Sequence, residues 1–127
     1  MIHLDTSILV DALTGPRRSA ANLRRAIDRG ERLQVSAIVL YEWLRGPRQQ
    51  DELADQALLF PRDEAVPFGS EEAVIAARLY GQVHRARGRE VDLAIAACAM
   101  AHGASLWTLN EADFTEVPDL ALYEAGG

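Results

Sequence analysis

The sequence has 127 residues, of which 49% are hydrophobic and 25% charged, a composition typical of one globular domain. All 13 basic residues are arginine, so any mechanism that requires a lysine is excluded. The 19 acidic residues bring the net charge to −6, which disfavours nonspecific binding along nucleic acid. The single cysteine, Cys98, excludes an internal disulfide, and no apolar run approaches the ~18 residues of a membrane helix. We therefore expect one domain over residues 1–127 of a cytoplasmic protein without a signal peptide.

Short apolar segments alternate with helical patterns along the chain. The first strand begins at Ile2 and ends on Asp5, and a helix follows through about Leu13. Ser19 opens a second helix, which Gly30 ends. Further strands are predicted over 33–35, 65–68, 105–109 and 120–123, and further helices over 37–45, over 50–60, from Ser70 onward and over 92–102.

Strands that alternate with helices imply parallel strands joined by crossover connections. We therefore predict an α/β fold, in which a three-layer α/β/α sandwich surrounds a parallel sheet. Pro67, in the third strand, suits only a sheet edge or a strand end because proline has no N–H to donate. On the two helices that follow the second and third strands, the expected buried residues are Val39, Leu40, Trp43, Leu44, Val74, Ile75, Leu79 and Val83.

Four acidic residues fall at predicted strand ends or near helix starts. Asp5 ends the first strand, and Glu42 lies on the helix after the second strand. Asp92 begins the most apolar helix, and Asp113 follows the fourth strand. Each also has an ordinary structural explanation: helix capping for the first and third, an exposed helix position for the second, and turn hydrogen bonds for the fourth.

As a set, the four acids indicate a metal site. The carboxyl ends of parallel strands share one edge of a sheet, so all four side chains are expected at that edge. Clustered carboxylates repel one another and are tolerated when a cation neutralises them. Oxygen donors without cysteine or histidine favour Mg²⁺ or Mn²⁺ over zinc.

Four motifs occur in this order: Leu4-Asp5-Thr6-Ser7, Tyr41-Glu42, Asp92-Leu93-Ala94-Ile95-Ala96-Ala97 and Thr108-Leu109-Asn110-Glu111-Ala112-Asp113-Phe114. With them, the chain resembles PIN-domain nucleases and, in its size and spacing, the VapC toxins of bacterial toxin–antitoxin pairs. The resemblance covers essentially the whole chain. One departure is Val91, where family members often have a polar residue.

The resemblance implies a five-stranded parallel sheet in the order 3-2-1-4-5 and a Mg²⁺- or Mn²⁺-dependent endoribonuclease that cuts RNA. It also implies that Asp5 and Asp92 are the leading metal ligands and that the other two acids complete the catalytic site. Thr6 and Asn110 would support these acids. A homodimer is implied as well, together with a VapB-type antitoxin that holds the enzyme inactive.

A polyanionic substrate also needs cations near the acids. Arg85, Arg87 and Arg89 come just before Asp92 and are the first candidates for contacts with backbone phosphates. Arg45 is another candidate. A solvated helix end explains the segment before Asp92 equally well.

Three other protein classes share parts of this pattern. A phosphatase with an aspartyl nucleophile needs a second aspartate where this chain has Ser7, and it needs a lysine, which is absent. A phospho-receiver domain also requires a lysine. A PIN fold that mainly binds a partner, with little or no nuclease activity, stays open, and a titration with metal would distinguish it.

Overall fold

The computed structural model describes residues 1–125, and its elements alternate as the sequence predicts. The strands are β1 (Ile2–Leu4), β2 (Leu33–Gln34) and β3 (Ser105–Trp107). The helices are α1 (Thr6–Leu13), α2 (Ala20–Asp28), α3 (Ala37–Arg45), α4 (Gln50–Leu59), α5 (Ser70–Gln82) and α6 (Glu90–Ala101), with 3₁₀ turns at Arg62–Glu64 and Glu111–Asp113. The last two residues of the domain predicted over 1–127 lie outside the described residues.

The sheet is parallel, and β1 is its central strand between β2 and β3. Leu4 is in register with Trp107, so β1 and β3 end side by side. The Asp5 N–H donates a hydrogen bond to the Trp107 carbonyl (2.9 Å), which extends this pairing by one residue. The residues that follow the two strands therefore lie next to each other at the carboxyl edge of the sheet.

The prediction of five strands is wrong, since the sheet within residues 1–125 has three. The two outer segments each make one parallel bridge, between Ser36 and Val66 on one side and between Leu106 and Leu122 on the other. These bridges flank β2 and β3, as the predicted order requires. The first does not extend because its partner Ser36 is the N-cap of α3, so the chain opposite Val66 turns into a helix after one bridge. On the second side Asp119, with φ of 65°, bends the chain just before the bridge.

Helices pack on both sides of the sheet, and α6 contributes most to the core. Every side chain from Leu93 to Ala99 is buried. The alanines along this helix let it lie close to its neighbours, and α5 covers it from outside. As its small apolar residues predict, it is buried all round, although α1 is equally apolar. No helix within residues 1–125 is long and apolar enough to cross a bilayer.

Several local predictions about helices are wrong. Ser70 was predicted to cap α5, but the N-cap is Gly69, whose N–H donates to Glu72 Oε1 (2.9 Å). Val74 and Leu44 are 66% and 50% exposed, because each helix packs along a narrower stripe than its apolar pattern suggests. The last apolar helix begins at Glu90, two residues before Asp92.

His3 is a buried polar residue in the central strand. Its side chain is 1% exposed, and neither ring nitrogen has a hydrogen-bond partner within residues 1–125. Burial, followed by the nearby His102, lowers the pKa of His3 to about 4. The imidazole is therefore neutral in the folded protein at pH 7.

This burial predicts a loss of stability in mild acid. The folded-state pKa is below the unfolded one, so the stability present above pH 6.5 falls as the pH is lowered towards 4. We expect the wild type to lose about 2–3 kcal/mol more over this range than His3→Leu, as measured by urea unfolding at several pH values. Parallel pH profiles for the two proteins would contradict the prediction.

Candidate active site

Asp5 directly follows β1 and has the backbone conformation of an N-cap, with φ of −73° and ψ of 158°. Its side chain does not cap the helix. Instead, Oδ2 accepts hydrogen bonds from Ser7 Oγ (2.8 Å) and Thr108 Oγ1 (2.8 Å). Capping therefore explains the backbone of Asp5, whereas its carboxylate is held by two hydroxyl groups.

The two hydroxyl groups are themselves positioned by the backbone after β3. Leu109 N–H donates to Ser7 Oγ (3.0 Å), and Asn110 N–H donates to Thr108 Oγ1 (3.0 Å). Because each hydroxyl accepts from an amide, its hydrogen is left to point at Asp5. Ser7 and Thr108 were not predicted as site residues, although both lie inside the motifs that resemble PIN-domain nucleases. The sequence signal that could have identified them is their position close to the end of a predicted strand.

Glu42 reaches the same region from α3. Its Oε1 accepts a short hydrogen bond from Thr6 Oγ1 (2.6 Å), and the Arg45 guanidinium lies 3.5 Å from Oε2. The side chain of Glu42 is 19% exposed. This glutamate is therefore a partly buried group with a fixed orientation, unlike an ordinary exposed helix residue.

Asp92 is the third residue of α6 and is partly buried. Burial and then the charges of the three other candidate acids raise the pKa of Asp92 to about 6. Asp5 has the largest influence among those acids, and Arg89 acts in the opposite direction. The four acids therefore share one electrostatic environment that carries more negative than positive charge.

An open cleft of about 610 Å³ lies where these residues meet. Asp5, Glu42 and Asp92 line it, as do Thr6 and Asn110. Asp113 lies in the 3₁₀ turn after β3, is exposed, and does not line the cleft. The fold thus brings three of the four predicted acids into the cleft and leaves the fourth nearby.

The predicted RNA-binding arginines do not line the cleft. Arg89 pairs with Glu116 (2.9 Å) and donates to the Asp113 carbonyl, so it links the start of α6 to the turn after β3. Arg85 and Arg87 are exposed in the connection between α5 and α6 rather than on a helix end. A different arginine, Arg18, does line the cleft and was not predicted.

The cleft offers only part of a metal site as it stands. Within residues 1–125, no three acidic, histidine or cysteine side chains are close enough together to enclose an ion. Asp5 is held by two hydroxyl groups and Glu42 by one, so each carboxylate has a fixed orientation. The surplus of carboxylate oxygens and the raised pKa of Asp92 fit a hard cation.

Comparison with known proteins gives matches over nearly the whole chain. Ribonuclease VapC19 of Mycobacterium tuberculosis is 36% identical over 120 residues, which cover 92% of this chain and 94% of that protein. Among solved structures, DNA-bound VapBC from Salmonella typhimurium matches with a TM-score of 0.77 at 19% identity, covering 98% of both chains. VapBC2 from Rickettsia felis, bound to a promoter DNA fragment, matches with a TM-score of 0.74 at 24% identity, covering 97% of this chain and 98% of the other.

The two solved structures have the same fold, and the mycobacterial relative is similar enough in sequence to indicate common descent. The model of the PIN domain family matches residues 2–120. That range includes all four candidate acids and the three strands of the sheet. The chain belongs to the PIN-domain family.

Proposed function

We propose that the chain is a Mg²⁺- or Mn²⁺-dependent endoribonuclease and the toxin of a toxin–antitoxin pair. The observation that carries this proposal is the convergence of Asp5, Glu42 and Asp92 on one cleft from three separate elements. The similarity to a protein named Ribonuclease VapC19 supports the same activity.

In this proposal, Asp5 and Asp92 are the metal ligands, and Glu42 and Asp113 complete the acidic site. When bound, the ion would lower the pKa of a water molecule and offset charge on the phosphate being cut. Ser7 and Thr108 fix the carboxylate of Asp5, and Thr6 fixes that of Glu42. These hydrogen bonds hold the acids in place before RNA arrives.

The products follow from the atoms involved. Water adds its oxygen to phosphorus, the bond from phosphorus to the 3′ oxygen breaks, and that oxygen leaves with a proton. The expected fragments carry a 5′-phosphate and a 3′-hydroxyl.

The partners are also proposals. The structural neighbours from Salmonella typhimurium and Rickettsia felis are VapBC assemblies, which supports a VapB-type antitoxin for this chain. We propose that an antitoxin segment covers the acidic cleft and that the toxin forms a homodimer. An arginine would suit the cleft chemically, because the lining acids attract a cation, and an apolar helix is the alternative segment.

The first test is cleavage of total bacterial RNA by the purified protein without antitoxin. We expect discrete fragments with Mg²⁺ or Mn²⁺ and none with EDTA, and Asp5→Asn should lower the rate by about 10²-fold or more through loss of a metal ligand. Asp63→Asn, an exposed acid in a 3₁₀ turn, is the matched control and should cleave like the wild type.

Cleavage by Asp5→Asn at the wild-type rate would overturn the assignment. If the wild type neither cleaves RNA nor binds Mn²⁺ in a titration, the chain is instead a PIN fold that acts by binding a partner.

The hydrogen bond from Thr108 gives a second test. Thr108→Val keeps the shape of the side chain but removes the hydroxyl that orients Asp5. We expect RNA cleavage to fall about 10- to 100-fold, the usual effect of removing a group that orients a metal ligand. Thr115→Val, at an exposed threonine whose hydroxyl donates only to the Ala112 carbonyl, should leave the rate unchanged. Equal rates for the two variants would show that the hydroxyl is dispensable.

The raised pKa of Asp92 gives a third test. Above pH 6 the wild type carries this charge at a cost, whereas below about pH 4 the carboxyl is neutral in both the folded and unfolded states. In EDTA, Asp92→Asn should therefore be more stable than the wild type by about 1–2 kcal/mol at pH 7.5, a value reduced for solvent screening, and the difference should vanish near pH 4.

The same urea-unfolding measurement should show that Mn²⁺ stabilises the wild type and has little effect on Asp92→Asn. A variant that is less stable than the wild type at pH 7.5 in EDTA would contradict the electrostatic description of the site.

A further inference from the structure

Arg18 lines the acidic cleft from the connection between α1 and α2. It is the one basic residue among the described residues that line this cleft. Its side chain is exposed, and within residues 1–125 its guanidinium takes part in none of the ion pairs. A cation therefore lies at the rim of an anionic cleft without a carboxylate of its own.

The backbone around Arg18 is fixed at both ends of the connection. At its start, Thr14 N–H (3.0 Å) and Thr14 Oγ1 (2.7 Å) both donate to the Val10 carbonyl. At its end, Ser19 Oγ donates to Asp11 Oδ2 (2.6 Å). The same bond gives one carboxylate oxygen of Asp11, which also lines the cleft, a hydroxyl donor.

The preceding residue, Arg17, pairs with acidic residues of a helix instead of lining the cleft. Its guanidinium pairs with Asp55 (2.7 Å) and lies 3.6 Å from Asp51, both on α4. Its φ is 54°, a left-handed conformation that is unfavourable for arginine and persists only where surrounding contacts impose it. Arg17 thus anchors the connection to α4, while its neighbour Arg18 borders the cleft.

The charges around the cleft explain why a cation is useful here. Four acidic side chains line the cleft and repel a phosphate strand: Asp5, Asp11, Glu42 and Asp92. The arginines expected to offset this repulsion do not line the cleft: Arg89 pairs with Glu116, and Arg45 lies 3.5 Å from Glu42 Oε2. An arginine fork binds two phosphate oxygens at once, and one with a fixed backbone loses less freedom on binding.

We propose that Arg18 binds a backbone phosphate of the RNA strand that lies in the acidic cleft. This inference rests on the proposed function, because it assigns a binding role for the same substrate at the same site. Arg18 holds the strand at the rim, and the carboxylates act on the phosphate that is cut.

The experiment measures kcat/KM in Mn²⁺ on a short RNA oligonucleotide that spans a cleavage site mapped in total bacterial RNA. Arg18→Ala should lower kcat/KM about 10-fold, the effect of losing one charged hydrogen bond. The slope of log kcat/KM against log salt concentration should become shallower by about one. Arg18→Lys should recover part of the loss, because it restores the charge without the planar fork.

Arg32→Ala is the matched control. Arg32 is exposed and precedes β2, so it lies at the opposite end of the parallel strands, and its removal changes the net charge equally. We expect this variant to match the wild type in rate and salt slope. Mn²⁺ binding and Tm should be the same in all four proteins.

Three results would overturn the proposal. Arg18→Ala could cleave as fast as Arg32→Ala with the same salt slope, which would make Arg18 a solvated surface residue. It could lose Mn²⁺ binding or thermal stability along with activity, which would make its role structural. If the wild type itself cuts no RNA, the proposed function fails, and this inference fails with it.

Discussion

The pairing of β1 with β3 is the constraint on which the candidate site depends. It aligns Leu4 with Trp107, so that the next residue of each strand, Asp5 and Thr108, lie side by side. A shift of the register by one residue would turn the alternate side chains to the other face of the sheet and separate these two groups. The hydroxyl groups that hold Asp5 compensate for its burial through hydrogen bonds rather than through a paired cation.

The distribution of charge around the cleft follows a consistent pattern. Basic side chains near the acids mostly stabilise the protein: Arg89 joins α6 to the segment after β3, and Arg17 joins the α1–α2 connection to α4. The carboxylates in the cleft itself keep a surplus of negative charge, which burial makes more costly at Asp92. Such a surplus lowers the stability of the isolated protein and favours binding of a cation from outside it, as sites built for function often do.

Much of the fold follows from local sequence patterns, and the errors in the predicted strands and buried residues have identifiable structural causes. Alternating elements predicted the three strands at the centre of the sheet and the buried helix α6. The two outer strands were predicted wrongly because each segment makes a single bridge: the chain opposite Val66 enters α3 after Ser36, and the bend at Asp119 precedes the other bridge. Val74 was expected to be buried because it fits the apolar pattern of α5, yet it is exposed. Whether a helix face is buried depends on a neighbouring element that the pattern does not describe.

The sequence by itself determined the order of the elements and which acids follow strand ends, because backbone preference and burial are encoded over a few neighbouring residues. Tertiary structure decided which groups meet those acids. The bond from Thr108 to Asp5 spans 103 residues of chain, and that from Thr6 to Glu42 spans 36. Arg18 and Arg17 are adjacent in sequence, yet one borders the cleft and the other pairs with α4. Strand register and the backbone angles of one short connection set these contacts, and neither can be inferred from residue spacing.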